Sequence, residues 1–107
     1  MRELNEEFIG IGEVRGFSFR QLDKNDYCYL YEVVSPFSEK KHYEVFFRRE
    51  NTQYGNVSYP SSKAFGLWAW TYSSKDAALA SFKDKTSIAI SKASRKMQNE
   101  PSMQRFS

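Results

Sequence analysis

Arginine and aromatic residues stand side by side in short runs of this chain. That pairing suits one chemistry above others: cations attract phosphates while flat rings stack on unpaired bases. The runs are Arg15-Gly16-Phe17-Ser18-Phe19-Arg20, Tyr27-Cys28-Tyr29-Leu30-Tyr31, Tyr43-Glu44-Val45-Phe46-Phe47-Arg48-Arg49 and Trp68-Ala69-Trp70-Thr71-Tyr72. Ser, His and acidic residues are also present, but none stands in the setting of a nucleophile or an acid–base pair. No catalytic residue is therefore expected, and the chain reads as a non-enzyme. His42 follows Lys40 and Lys41, which predicts a solvated ring, and no second His or paired Cys offers it a metal. No metal or other cofactor is expected. Cys28 is the lone cysteine, which excludes an intramolecular disulfide, and its place in an apolar strand pattern predicts a buried, inert thiol.

The candidate binding residues follow from alternation along the strands. Arg15 and Arg20 bracket the first aromatic run, and Tyr29 and Tyr31 share a face of the second. Arg48 and Arg49 must point to opposite faces, so one at most can meet a ligand on a given side. The loop Tyr59-Pro60-Ser61-Ser62-Lys63-Ala64-Phe65-Gly66 offers Tyr59 and Lys63 as a recognition element; the plainer reading is that Phe65 plugs the core. Trp68, Trp70 and Tyr72 fall on one face of the last strand, as core or as a displayed surface. Lys92, Arg95 and Lys96 form a second basic cluster on the helix, where a solvated face is the simpler account.

These residues need a sheet to carry them. Glu13 to Leu22 and Tyr27 to Val34 predict a hairpin across Asp23-Lys24-Asn25-Asp26, a turn of residues that bond their own backbone. His42 to Arg49 predicts a third strand, Val57 to Tyr59 a short piece, and Gly66 to Tyr72 the last strand. Ser73 and Asp76 suit the start of a helix as a capping box. Leu79, Phe82, Thr86, Ala89, Ile90, Ala93 and Met97 then recur at three- and four-residue steps. The helix reaches about Asn99, in one piece or broken at Lys85-Thr86-Ser87, and Pro101 should end it. The expected fold is α+β: an antiparallel meander of four to five strands packed on one C-terminal helix, with the other sheet face open or partly open. Residues 1–100 form a single domain and 101–107 a flexible tail.

Sixteen Lys and Arg against thirteen Asp and Glu give a net charge of +3, too mild for a histone-like binder, so position matters more than the total. The positive charge gathers from Lys83 onward. The charged start leads into no apolar run, and no stretch approaches the roughly 20 apolar residues of a membrane span, so a cytoplasmic location off the membrane is expected.

Arg15, Gly16, Phe17 and Phe19 resemble the aromatic signature of RNA-recognition motifs and cold-shock domains, where spaced rings on one strand stack bases. The surroundings differ: twelve residues cannot supply the preceding strand and helix of the first, and the second has no long terminal helix. The physics alone carries over, and Phe17 and Phe19 are expected in the core. The run Tyr43 to Arg49, with Gly55-Asn56-Val57-Ser58-Tyr59-Pro60 and Ala64 to Thr71, is similar to small proteins of bacterial phages and mobile elements. That likeness spans about residues 13–83 and implies an origin rather than an activity. The leading expectation is a nucleic-acid-associated protein whose partner is a single strand. The alternative is a protein-binding module, such as a phage-encoded modulator of a host protein or a minor structural subunit. The sequence leaves the oligomeric state open.

Overall fold

The structure, a computed structural model, describes the backbone of residues 1–104 and the side chains of residues 1–94. Its strands are β1 (Glu7–Ile9), β2 (Ser18–Lys24), β3 (Cys28–Val34), β4 (Lys41–Phe47), β5 (Glu50–Asn51), β6 (Asn56–Val57) and β7 (Ala69–Tyr72), followed by the helix α1 (Lys75–Gln104). Strands β1, β2, β3, β4 and β7 form one antiparallel sheet in that order, and β5 and β6 form a separate two-stranded ribbon. The α+β architecture expected from the sequence is therefore present.

β1 is an addition to that expectation. Glu6-Glu7-Phe8-Ile9 is too short and acidic to show a strand on its own. It forms against β2, where Glu7 lies opposite Arg20 and the Phe8 ring stacks on Phe19 with centroids 4.6 Å apart. β2 starts at Ser18 rather than Glu13, because a short 3-10 turn at Gly12–Val14 precedes it. Gly10 permits that turn to close: a Cβ there would lie 2.2 Å from the Val14 carbonyl oxygen. At the other end of the hairpin the Asn25 side chain accepts from the Tyr27 and Cys28 amides, so the turn holds its own backbone as expected.

Alternation divides the core into two layers. On one sheet face Cys28, Leu30 and Val45 pack with Ala78 and Phe82 of α1, flanked by Leu22, Tyr27, Tyr43, Phe47, Tyr72 and Leu79. The bulge between Gln21 and Asp23 inserts Leu22 into this layer. On the other face Phe19, Tyr29, Tyr31, Val33, Phe46 and Ala69 are buried with Val57 and Ala64. That second face is not open, contrary to expectation. The N-terminal segment with Leu4 and Phe8, and the excursion between β4 and β7 with Tyr59, Phe65 and Trp68, lie across it. Among the described residues no helix covers this face, so the periodicity of the sequence gives no sign of the cover.

The helix begins one residue later than expected. Ser74, not Ser73, caps it, its Oγ accepting from the Ala77 amide at 3.3 Å. Asp76 then lies in the first turn, where a negative charge favours the helix dipole, and not at the reciprocal capping-box position. α1 passes unbroken through Lys85-Thr86-Ser87; Thr86 Oγ1 bonds the Phe82 carbonyl at 2.7 Å and also receives Asn25 Nδ2 at 2.9 Å. It continues to Gln104, so Pro101 lies within it and does not end it. Of the expected tail, residues 105–107 lie outside the described residues. No helix is long and apolar enough to cross a membrane among the described residues.

Candidate functional site

The tyrosines expected to stack bases are sealed. Tyr29 and Tyr31 are each 0% exposed, because the N-terminal segment lies on them. Their hydroxyls hold that segment in place. Tyr29 donates to Glu3, and Tyr31 donates to the Asn5 carbonyl at 2.7 Å while accepting from Gln21 Nε2 at 3.0 Å. Tyr59 packs edge-on against Phe19 and Phe46 and donates to the buried Glu44. Burial pushes the Tyr29 phenol up to about 12, with the Glu3 carboxylate adding to the rise. Burial and the negative charge of Glu44 push Tyr59 up as well. These phenols therefore remain protonated donors and are unavailable to a partner. Phe65, packed against the same core, plugs it as the plainer reading held, while Lys63 stands exposed beside it on the short turn Ser62–Ala64.

Most of the strand arginines are also committed. Arg48 places Nη2 2.6 Å and Nε 3.4 Å from the two oxygens of Glu3 and pairs with Glu50 through Nη1. Those bonds raise the guanidinium above its ordinary value; in return Arg48, followed by Tyr29, holds the Glu3 carboxyl at about 2. Arg20 reaches Glu32 at 3.2 Å on the helix side of the sheet, where Lys41 approaches the other Glu32 oxygen at 3.6 Å. His42 is half-buried rather than solvated, with Nε2 3.1 Å from Glu44 Oε2. Cys28 is buried as expected, and burial raises its thiol. Arg15 stays exposed after the first 3-10 turn.

What remains gathers at the β7 edge. The sequence places Trp68 and Trp70 on one face, but the structure separates them. Gly66, at φ +90°, donates to the Ala69 carbonyl, and the Leu67 and Trp68 amides both bond the Ala64 carbonyl, so the chain curls and the strand begins only at Ala69. Trp68 therefore lies on the loop-covered side, edge-on to Phe46, while Trp70 lies on the helix side, edge-on to Phe47. Each indole carries a cation. Arg49 Cζ sits 4.9 Å from the Trp68 ring centroid, and Lys85 Nζ sits 4.0 Å from that of Trp70. Neither cation is paired with a carboxylate among the described residues. The Ser58 amide bonds the Arg49 carbonyl at 2.8 Å and so fixes the backbone from which this side chain projects.

Beside Trp68 opens a cleft of about 430 Å³ lined by Arg49, Glu50, Asn51, Thr52, Gln53, Ser58 and Trp68. Its surface offers amide and hydroxyl groups around the Arg49 cation and one indole, with the Glu50 carboxylate at its wall paired to Arg48, which suits a planar, hydrogen-bonding ligand. Lys85 and Glu3 were not among the residues expected to matter. Lys85 could have been found from its spacing, since it stands one turn beyond the core residue Phe82. Glu3 shows no such signal. Lys92 is exposed on α1, and the side chains of Arg95 and Lys96 lie outside the described residues. No three His, Cys, Asp or Glu residues come together in a metal-holding group among the described residues. Compared with family models, with curated proteins and with solved structures, the chain matches none.

Proposed function

We propose that this is a non-enzymatic, nucleic-acid-associated protein that takes single-stranded DNA or RNA along the β7 edge. The observation that carries the reading is the pair of cations over the two tryptophans, Arg49 on Trp68 and Lys85 on Trp70, on opposite sides of one edge strand. A base enters the cleft beside Trp68 and stacks on the exposed part of the Arg49–Trp68 pair, while phosphates meet Arg49, Lys85 and the nearby exposed Lys63. Single strands are favoured because unpaired bases can leave their stack to reach an indole, whereas paired ones cannot.

Titrating the protein with single- and double-stranded DNA and RNA at two salt concentrations tests this. Binding should be strongest to single strands and should quench tryptophan fluorescence. Arg49→Ala should weaken binding across all sequences and reduce the salt slope by about one. Arg20→Ala, which removes an arginine already held by Glu32, should leave the slope unchanged. A protein that ignores every strand at low salt, where phosphate attraction is strongest, would refute the reading.

A further inference from the structure

Two features on different parts of the molecule are left exposed among the described residues, and they complement each other. The first is an apolar corner at the N-terminal side of the loop layer. Ile9 and Ile11 are 62% and 84% exposed there. Two clefts, of about 440 and 310 Å³, flank Ile11 and share Val14 and Tyr59; Pro60 and Phe65 complete one, and Leu4 and Phe8 the other. Exposed Glu13 lines the first of these clefts and exposed Glu7 lines a neighbouring hollow with Ile9, and neither forms an ion pair among the described residues.

The second is the far part of α1. Among the described side chains its packing on the sheet layer involves Ala78, Leu79 and Phe82 and, through the Asn25 hydrogen bond, Thr86. Beyond it Ile88 and Ile90 are 37% and 46% exposed, and Lys92 is exposed. From Lys85 to Lys96 the sequence holds four cations and no acid. A helix segment free of its own sheet gains little from propensity alone and is stabilised chiefly by packing an apolar face.

We propose that the far part of α1 of one copy docks in the Ile9–Ile11 corner of a second copy. Ile90, with Ala93 one turn on, fills the cleft beside Ile11, in the manner of an amphipathic helix in an apolar groove. Lys92 meets Glu13 and Glu7. Charge complementarity selects this occupant: the corner is acidic in a chain whose net charge is positive, and the basic helix segment is supplied by the chain itself. The two surfaces are different, so the contact is heterologous, and each bound copy still offers a free corner and a free helix.

Sedimentation of the full chain across a concentration series should show mass growing beyond a dimer, less so at high salt. Ile11→Glu and Ile90→Glu each replace an exposed side chain and should keep the wild-type melting temperature. Each should weaken association by about tenfold or more, the equivalent of one well-placed contact. The decisive measurement mixes the two variants. One retains an intact helix and the other an intact corner, so the mixture should form one-to-one pairs that grow no further. A wild type that stays monomeric throughout overturns the proposal and leaves the corner to a basic helix of another protein. Association unaffected by Ile11→Glu, or a mixture that does not pair, overturns it equally.

Discussion

The two faces of the sheet are buried to the same depth by opposite means. On the helix side the cover satisfies its own backbone hydrogen bonds, so the sheet beneath it can be apolar: Cys28, Leu30 and Val45 meet Ala78 and Phe82. On the loop side the cover is irregular chain, whose carbonyls and amides need partners that a helix would supply internally. The sheet answers with tyrosines. Tyr31 bonds the Asn5 carbonyl and Tyr29 bonds Glu3, while from the cover Tyr59 donates back to Glu44 of β4 and the backbone of Arg2 pairs with Gly55 and Val57. A Tyr buries a large ring and still delivers a hydroxyl at its far end, which is what an irregular cover requires. Residues that suggested a stacking surface are thus the fastening of a lid of loops.

The sharpest test of this contrast compares the central ring of each layer. Phe46 touches Tyr29, Tyr31, Tyr59 and Trp68, with centroids 5.5 to 6.4 Å away, and is 0% exposed. Phe46→Ala should destabilise the fold by about 3–5 kcal/mol, the range for a buried aromatic. Phe82→Ala should fall towards the lower end of that range, because Phe82 keeps some exposure at 6% and projects from α1 onto one face of the sheet. Chemical denaturation of both variants measures the difference; a larger loss for Phe82 would make the helix layer the principal core.

The polar half of the contrast predicts a smaller effect. Tyr31→Phe keeps the ring and removes the hydroxyl that serves both Asn5 and Gln21. Leaving the Asn5 carbonyl without a partner should cost about 1–3 kcal/mol. Amide exchange should accelerate across residues 2–9 while α1 stays protected. On the helix side, Tyr72→Phe breaks only the bond to Ser81 and should cost no more than about 0.5–1.5 kcal/mol. Equal losses in the two variants would contradict the idea that tyrosine fastens the irregular cover in particular.

The helix layer was legible in the sequence and the loop layer was not, for the same reason. Leu79 and Phe82 recur at helical spacing, and Phe17–Phe19 and Tyr29–Tyr31 alternate with strand spacing, so elements and faces could be assigned from period alone. The cover over the second face has no period. Its positions depend on Glu3 meeting Arg48 across 45 residues of chain and on Gly66 adopting a positive φ. The candidate site suffered from both gaps. Tyr29, Tyr31 and Arg48 were predicted where the loop cover conceals or neutralises them, and the two tryptophans were assigned to one face because the curl before β7 left no mark on alternation. Arg48 and Arg49 were expected on opposite faces, but past the end of β4 Arg48 meets Glu3 and Arg49 meets Trp68, both on the loop-covered side.

The helix start gives a test of intermediate size. Ser74→Ala removes the oxygen that accepts from Ala77 and should cost about 0.5–2 kcal/mol. Ser73→Ala should be close to neutral, since Ser73 is exposed and outside the cap. Thermal melts of the two variants decide between them, and a larger effect at Ser73 would move the helix start back by one residue.

The smallest effect concerns the ion cluster that pins the N-terminal cover. Arg48 and Tyr29 hold Glu3 at about 2, below its ordinary 4.5, so folding favours the ionised carboxylate. A depressed carboxyl contributes stability that is complete above the unfolded value and is lost as pH falls through the folded one. Glu3 should therefore support the fold fully above about pH 5 and lose its contribution between about pH 4.5 and 2. Its side chain is 37% exposed, so water screens the cluster and the whole contribution should stay within about 1 kcal/mol. Glu3→Gln isolates this from the protonation of every other acid. At neutral pH the variant should be slightly less stable, with faster exchange confined to the N-terminal segment and β6. As pH falls towards 2 the two stability curves should converge. Curves that stay parallel down to that pH would show that Glu3 is not what holds the cover, and would leave Tyr31 and the Arg2 backbone bonds as its fastening.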